Sequence, residues 1–429
     1  MATRLFGRQA DLLRRERPFR LLFLATLGSG LGTGVAVIAL TVDVFDRTGS
    51  GVWVAALLVV DFLPMLAIGL LFGPLVDRLS RRRVMIVSDL VRCVVFAALL
   101  FAPNEVVIVV LAGVAGFATG FFRPAVYAGM PNLVSDADLP RANSLFQSVE
   151  NLTWLAGPLL GGVLLSASGP DVPYAVNSIS FLLSAALVAA VPERLLQAER
   201  AESEGHLKDL AAGFTLVVRS RPLVTVLVVW TLVMFGNAGI NVAEVALAKV
   251  SLDAGNVGLG VLMACAGLGL MLGSMSAGGW LERSAVATVY GSAIWLMALG
   301  FTAAAVSPTV WLAAACVVVS GFGNGVASVC NPYLVQQGAP DELRGRAFTV
   351  IMSTNAAALG IGMAMAGQFV DAAGARWVWA TAGALYGLSG LLALALARGV
   401  RRAEPETVPP AEPVMAAGDP AFGPRQPAG

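Results

Sequence analysis

Reactive side chains are scarce in this chain. Its 429 residues hold one histidine, His206, and two lysines, Lys208 and Lys249. There is no His-Glu-x-x-His pattern, and neither lysine lies in a phosphate-binding loop, so a zinc hydrolase and a pump with its own nucleotide site are both excluded. The four cysteines, Cys93, Cys265, Cys316 and Cys330, all fall in apolar runs and are expected to be packing residues rather than a disulfide framework or a metal site. Charge is scarce as well: charged residues make up 13% of the chain against 57% hydrophobic, which a soluble protein could not sustain without large exposed apolar patches. A net charge of +1 provides no basis for a nucleic-acid partner. No cofactor and no metal are expected, and the chain is not read as an enzyme.

What is present in quantity is apolar sequence in long runs. A helix needs about 20 mostly apolar residues to cross a bilayer. That ruler yields twelve spans: 19–42, 51–76, 84–102, 106–128, 143–167 and 172–191, then 222–250, 256–280, 285–306, 309–335, 347–370 and 377–397. Arginine placement orients them. Arg4, Arg8, Arg14, Arg15, Arg17 and Arg20 precede the first span. Arg78–Arg83, Arg141, Arg194, Arg219, Arg221, Arg283, Arg344, Arg346, Arg398, Arg401 and Arg402 share that side, whereas the other keeps Arg47, Lys249 and Arg376. By the positive-inside rule both termini are cytoplasmic, in a multi-pass protein of the cytoplasmic (inner) membrane. The first apolar run is too long for a signal-peptide core and lacks a clear cleavage site, so no cleavable signal is expected.

The chain repeats itself at an offset of 205 residues. Gly73-x-x-x-Asp77-Arg78 meets Gly278-x-x-x-Glu282-Arg283; Gly116 and Gly120 meet Gly321 and Gly325; Gly157 and Gly162 meet Gly362 and Gly367. The expected organisation is a cytoplasmic segment 1–18, a six-helix half 19–191, a cytoplasmic linker 192–221, a second six-helix half 222–397 and a disordered tail 398–429. In the linker, Leu207, Leu210, Phe214 and Val217 share one helical face, the pattern of an amphipathic helix lying at the membrane interface.

The stretch from Gly73 to Arg83 is a dense basic loop between two apolar spans. Its pattern of glycine, three residues, Asp-Arg and an arginine run resembles the signature loop joining helices 2 and 3 of the major facilitator superfamily, with Ser80 where glycine is usual. The resemblance covers roughly residues 15–400. It implies an all-α membrane protein of twelve helices in two pseudo-symmetric halves, working as a monomer. It also implies that Gly73, Asp77, Arg78 and Arg81 control the switch between inward- and outward-facing states; the plainer reading is a cytoplasmic anchor. Asp77 is expected to face the N-terminus of helix 11, near Ala347, whose unpaired N–H groups favour an anion.

The block Gly157-Pro158-Leu-Leu-Gly161-Gly162 is similar to the end of the helix-5 motif of exporters in this superfamily, with Ser144 and Thr153 where that motif has glycines; tight helix packing is the competing explanation. Phe122-Arg123-Pro124-Ala125, Met130-Pro131-Asn132-Leu133-Val134 and Arg141-Ala142-Asn143-Ser144 resemble the branch containing macrolide efflux proteins and the enterobactin exporter.

Ionisable groups within the spans are costly, so each is a functional candidate. Asp61 falls about 15 Å along helix 2, near mid-bilayer, at 1.5 Å per residue. Asp61 and Glu150 are the candidate proton-coupling carboxylates; each is alternatively a structural partner for polar groups on a neighbouring helix. The arginine usual in mid-helix 4 of many proton antiporters is missing, with Ala112 and Gly113 in that region. Arg92 is read as structural, pairing with Asp89 or reaching the cytoplasmic surface. Arg123 is expected to face the pathway. Asn237, Asn241 and Glu244 form a polar stripe on helix 7, and Asn324, Ser328 and Asn331 one on helix 10. The resemblance places both helices at the cavity, so these are candidate substrate contacts, interhelical hydrogen bonding being the alternative. Glu244 has a second alternative, pairing with Lys249.

The function expected is export of amphipathic or apolar small molecules, such as a drug, antibiotic or siderophore-like compound, by alternating access with proton antiport. An importer or lipid flippase of the same fold is the alternative, and a non-transporting receptor the alternative from another class.

Overall fold

The structure, a computed structural model, describes residues 11–71, 80–135, 138–196 and 214–396, without the side chains of 65–71, 140, 282, 341 and 342. Gly73, Asp77 and Arg78 lie outside the described residues, as do His206 and most of the linker. Phe214 and Val217, the described part of the expected linker face, sit in a short helix over 214–219, the first exposed and the second fully buried.

Twelve long α-helices run through the described residues: α1 Arg17–Thr48, α2 Gly51–Leu71, α3 Arg81–Leu99, α4 Glu105–Gly129, α5 Leu139–Ser168, α6 Asp171–Ala189, α7 Arg221–Ala246, α8 Gly255–Arg283, α9 Val286–Val306, α10 Val310–Gly338, α11 Asp341–Ala373 and α12 Ala375–Leu396. Nine of those described are long and apolar enough to cross a membrane by themselves. In α2 the side chains are described only over Gly51–Pro64, an apolar stretch shorter than a full span; α3 and α5 are the remaining two. Arg81, Arg82, Arg83, Asp89 and Arg92 dilute the apolar character of α3, and a polar first half does the same in α5.

Helix ends follow local chemistry. Asn104 caps α4 by accepting from the Val107 amide at 3.1 Å. Gly49, Gly169 and Gly374 end α1, α5 and α11 with φ of 62°, 72° and 87°, a backbone conformation that a Cβ resists. Several helices outrun their apolar stretch. Span 1 was expected to stop at residue 42, yet α1 continues to Thr48; helix 11 begins at Asp341, not near Ala347. The physical reason is that hydropathy measures contact with lipid, whereas a helix continues into water for as long as its backbone bonds are made.

The two sets of six helices repeat one packing scheme. In the first set the main pairs are α1 with α5 and α6, α2 with α4, and α3 with α4 and α6; adding six to every label reproduces the main pairs of the second set. Two large contacts join the sets, α5 with α8 and α2 with α11. One end of the molecule carries the α1–α2 turn and its equivalents (the turn end), and the other carries the chain termini (the terminal end). The sets are sealed towards the turn end. A Cβ on Gly367 of α11 would lie 2.8 Å from the Gly51 carbonyl oxygen of α2, and one on Gly260 of α8 would lie 2.7 Å from the Pro158 carbonyl oxygen of α5. Farther along the same helices the space opens. A Cβ on Gly345 or Gly360 of α11, or on Gly278 or Gly279 of α8, would meet no described atom within 4 Å. The α2–α11 and α5–α8 pairs thus diverge towards the terminal end.

Candidate functional site

The splayed arrangement leaves a cavity of about 250 Å³ walled mainly by α1, α4 and α5. Thr26, Ser29 and Thr33 stand at i, i+3, i+7 on α1 and present a hydroxyl stripe to it; Thr26 and Thr33 donate to carbonyls one turn back, at 3.0 and 2.8 Å. Phe122, Trp154 and Met263 supply apolar surface, Met263 coming from α8 of the other half. A few placed polar groups in an otherwise apolar wall are the usual make-up of a small-molecule site.

Two of the sequence candidates meet in this wall. Arg123 Nη2 donates to Glu150 Oε1 at 2.5 Å, and Tyr127 Oη donates to the same oxygen at 2.6 Å. Tyr127 lies one turn after Arg123 on α4, so the i, i+4 spacing that would have found it was present in the sequence. The pair remains accessible, with Arg123 51% and Glu150 29% exposed, so it borders the cavity and is not sealed in a core.

Arg92 also lines the cavity. It pairs with Asp89 one turn back, both side chains buried, and its guanidinium lies 4.3 Å from the Phe122 ring centroid and 4.2 Å from that of Phe181. Pairing with Asp89 was one of the two structural roles expected of Arg92. Its place in the cavity wall was missed, because nothing in the sequence tells which face of α3 meets α4. The pair and two aromatic faces offset the cost of holding a charge at this depth.

Asp61 does not join the Arg123–Glu150 cluster. It shares a face of α2 with Val54 and Leu57, which are fully buried near the turn end, whereas Asp61 is exposed. It makes no hydrogen bond or ion pair among the described residues. Gly116 of α4 packs against its backbone, where a Cβ would come within 2.2 Å of the Asp61 carbonyl oxygen.

The second-half candidates lie apart from the cavity wall. Asn237, Asn241 and Glu244 are half-buried along one face of α7 whose flanks are buried. Asn324 is half-buried and receives a long 3.5 Å contact from the exposed Ser328 hydroxyl. Asn331 departs from that stripe: it is buried and accepts from Tyr290 Oη at 2.7 Å, an α9–α10 structural bond. Glu244 is not the partner of Lys249, which pairs with Asp46 of the first half.

The helix-5 block works on two sides. A Cβ on Gly157 would come within 2.7 Å of the Gly34 Cα of α1, and one on Gly161 within 2.7 Å of the Val35 carbonyl oxygen. On the opposite side, a Cβ on Gly162 would lie 2.6 Å from the Asn256 carbonyl oxygen at the start of α8. The block therefore lets α5 pack backbone-to-backbone against its own half and the other half at once.

At the terminal end, the described arginines of the loop are held within the first half. Arg81 Nη1 donates to the Ala128 carbonyl at 2.8 Å, Arg82 Nη2 donates to that of Ala189, and Arg83 pairs with Glu193 at 3.2 Å. Asp138, ahead of α5, gathers Ser135, Arg15 and Arg141. The Ser135 hydroxyl at 3.0 Å, followed by the two guanidiniums, holds its carboxyl below the usual range. At the turn end Arg47 is tied to Asp43 at 2.7 Å, and Arg376 to the carbonyls of Ala305, Ser307 and Ser251.

A doubled six-helix bundle, with a cavity walled mainly by the first half and reached by one residue of the second, has the arrangement of a membrane transporter of the major facilitator fold. Solved structures share it. A nucleoside transporter superposes with a TM-score of 0.73 at 14% identity, over 88% of this chain and 99% of its own. A bacterial homologue of the iron transporter ferroportin in an inward-facing state gives 0.72 at 14% identity, over 89% and 98%. The model of the family described as transmembrane secretion effector matches residues 12–417, and the chain belongs to that family. It is 27% identical to the multidrug efflux pump Tap of Mycolicibacterium fortuitum, over 84% of this chain and 91% of that protein. It is 23% identical to macrolide efflux protein A of Streptococcus pyogenes, over 79% and 86%. The protein is thus a multi-pass membrane protein, an efflux transporter of the major facilitator superfamily and not an enzyme.

Proposed function

We propose that the protein exports amphipathic or apolar small molecules by alternating access, driven by proton entry. It does so from the cytoplasmic membrane with both termini inside and all twelve helices crossing. The observation that carries this reading is the cavity beside Arg123, Glu150 and Tyr127, combined with contact between the halves towards the turn end. On the arginine-derived orientation, the turn end is external and the cavity takes substrate from the cytoplasm or the inner leaflet. Its hydroxyls and the Arg123–Glu150 pair orient a ligand, while Phe122, Trp154 and Met263 supply apolar contact. The multidrug and macrolide efflux relatives support the direction and the breadth of substrate.

Asp61 is the better candidate for the coupling proton. Glu150 is already engaged by a cation and a phenol, whereas Asp61 lacks a partner among the described residues and sits where the buried face of α2 becomes exposed. Asn237, Asn241, Glu244, Asn324 and Ser328 are proposed to complete the substrate site from the second half when the halves close on a ligand. Gly73, Asp77, Arg78 and Arg81 are proposed as the gate at the terminal end, with Asp77 set against the first turn of α11 at Asp341 in the closed state.

A substrate screen in a pump-deficient host, followed by uptake into inverted membrane vesicles, tests the reading. Uptake should depend on an imposed pH gradient and collapse with a protonophore. Substrate movement along its own gradient whatever the pH difference would replace antiport with facilitated diffusion.

A further inference from the structure

We propose that Asp371, at the far end of α11, is the positioning residue that latches the turn end shut by capping the first turn of α2 from the opposite half. This rests on the alternating-access reading above. One carboxylate makes all three contacts. Ser50 Oγ donates to Asp371 Oδ2 at 2.6 Å, the Gly51 amide donates to Oδ1, and the Val52 amide reaches Oδ2 at 3.4 Å. The amides at the start of a helix have no partner within it and carry partial positive charge, so an anion placed there is held by hydrogen bonds and by the helix dipole together. Ser50 Oγ also accepts from the Val52 amide at 3.2 Å, so the hydroxyl that caps α2 is itself held by Asp371. The two helices pack closely beside the contact, where a Cβ on Gly51 would lie 2.7 Å from Val370 Cβ and 3.0 Å from the Gly367 carbonyl oxygen, while Asp371 itself is exposed at the surface of this end. No cation pairs with Asp371 among the described residues, so its charge is spent on α2. Lys249 with Asp46 forms a second polar tie across the halves at this end. Opening the turn end must strip Asp371 from these donors, which makes the contact a state-specific one.

The test uses the full chain in lipid nanodiscs, with the four native cysteines replaced and spin labels at Phe101→Cys and Trp311→Cys, exposed positions on opposite halves of the turn end. The parent should show a single short-distance population. Asp371→Ala should raise the ratio of long to short separations at least about tenfold, the scale of losing one charge-assisted hydrogen bond or more. Ser50→Asp should open the same end by setting two carboxylates against one helix start, and Ser50→Asp combined with Asp371→Asn should restore the short distance. A merely structural role for Asp371 would not yield that rescue. Unchanged distances in well-folded Asp371→Ala and Ser50→Asp proteins would overturn the latch; if Asp371→Ala does not fold, Ser50→Asp and its rescue decide. Parent protein that keeps the short distance but moves no substrate would instead overturn the exporter reading and leave the latch standing.

Discussion

Arg123 of α4 and Glu150 of α5 meet at 2.5 Å in the cavity wall, with Tyr127 Oη on the same carboxylate oxygen. Removing either charge leaves the other unpaired in the wall of the cavity proposed to hold substrate. Arg123→Ala and Glu150→Gln should each lower uptake at least about tenfold, and the double variant should lose less than the sum. Because Arg123 is half exposed, the coupling in a double-mutant cycle on substrate binding should be about 0.5–1 kcal/mol. Strictly additive losses would mean that the pair does not act as a unit.

Asp61 carries the proton proposal, so its neutral isostere separates coupling from movement. Asp61→Asn should abolish uptake driven by a pH gradient in inverted vesicles while preserving substrate counterflow. Gradient-driven uptake at the wild-type rate, at equal membrane abundance, would return the role to Glu150 or remove it.

Two glycines on facing helices should differ sharply. Gly162→Val drives a side chain into the Asn256 carbonyl and should hold α5 away from α8, cutting transport and widening the turn end. Gly278→Val, with no described atom within 4 Å of its Cβ, should leave the protein folded with the same turn-end separation. Equal effects of the two variants on spin-label distances across the turn end would contradict the sealed geometry.

Asp138 predicts a pH dependence with a definite sign. Its folded carboxyl titrates below the unfolded value of about 3.9, so the stabilisation is complete above that value and is lost as pH falls through the lower folded one. Asp138→Asn should therefore have a lower Tm than wild type at pH 7, and the gap should narrow below about pH 4. A gap that stays constant down to pH 3 would mean that the charge of Asp138 contributes nothing.

Orientation is open to direct labelling. In a chain without native cysteines, Phe101→Cys and Trp311→Cys should react with an impermeant thiol reagent applied to intact cells, and Arg83→Cys should not. Labelling at residue 83 from outside would invert the topology.

Most of the fold was legible because the bilayer imposes a coarse rule. Spans of about 20 apolar residues, arginines weighted to one side and glycines repeating at an offset of 205 follow from solvation and from duplication of one half, and both are written along the chain. The expected spans correspond to α1–α12, with errors at the ends where Asp46, Arg47, Asp341 and Glu342 carry a helix past its lipid-facing stretch. The site was only half legible. Arg123, Glu150 and the Gly157–Gly162 block were visible as unusual residues in apolar sequence, and the Arg92–Asp89 pair as a local spacing. Which faces meet was not visible. That Arg92 lies between Phe122 and Phe181, that Asn331 serves Tyr290, and that Lys249 reaches Asp46 depend on helix rotation, which no hydropathy pattern encodes in a bundle surrounded by lipid. The contact of Asp371 with the first turn of α2 joins residues 320 positions apart in sequence. It exists because the two halves lean together at one end, and that choice of end belongs to the tertiary structure alone.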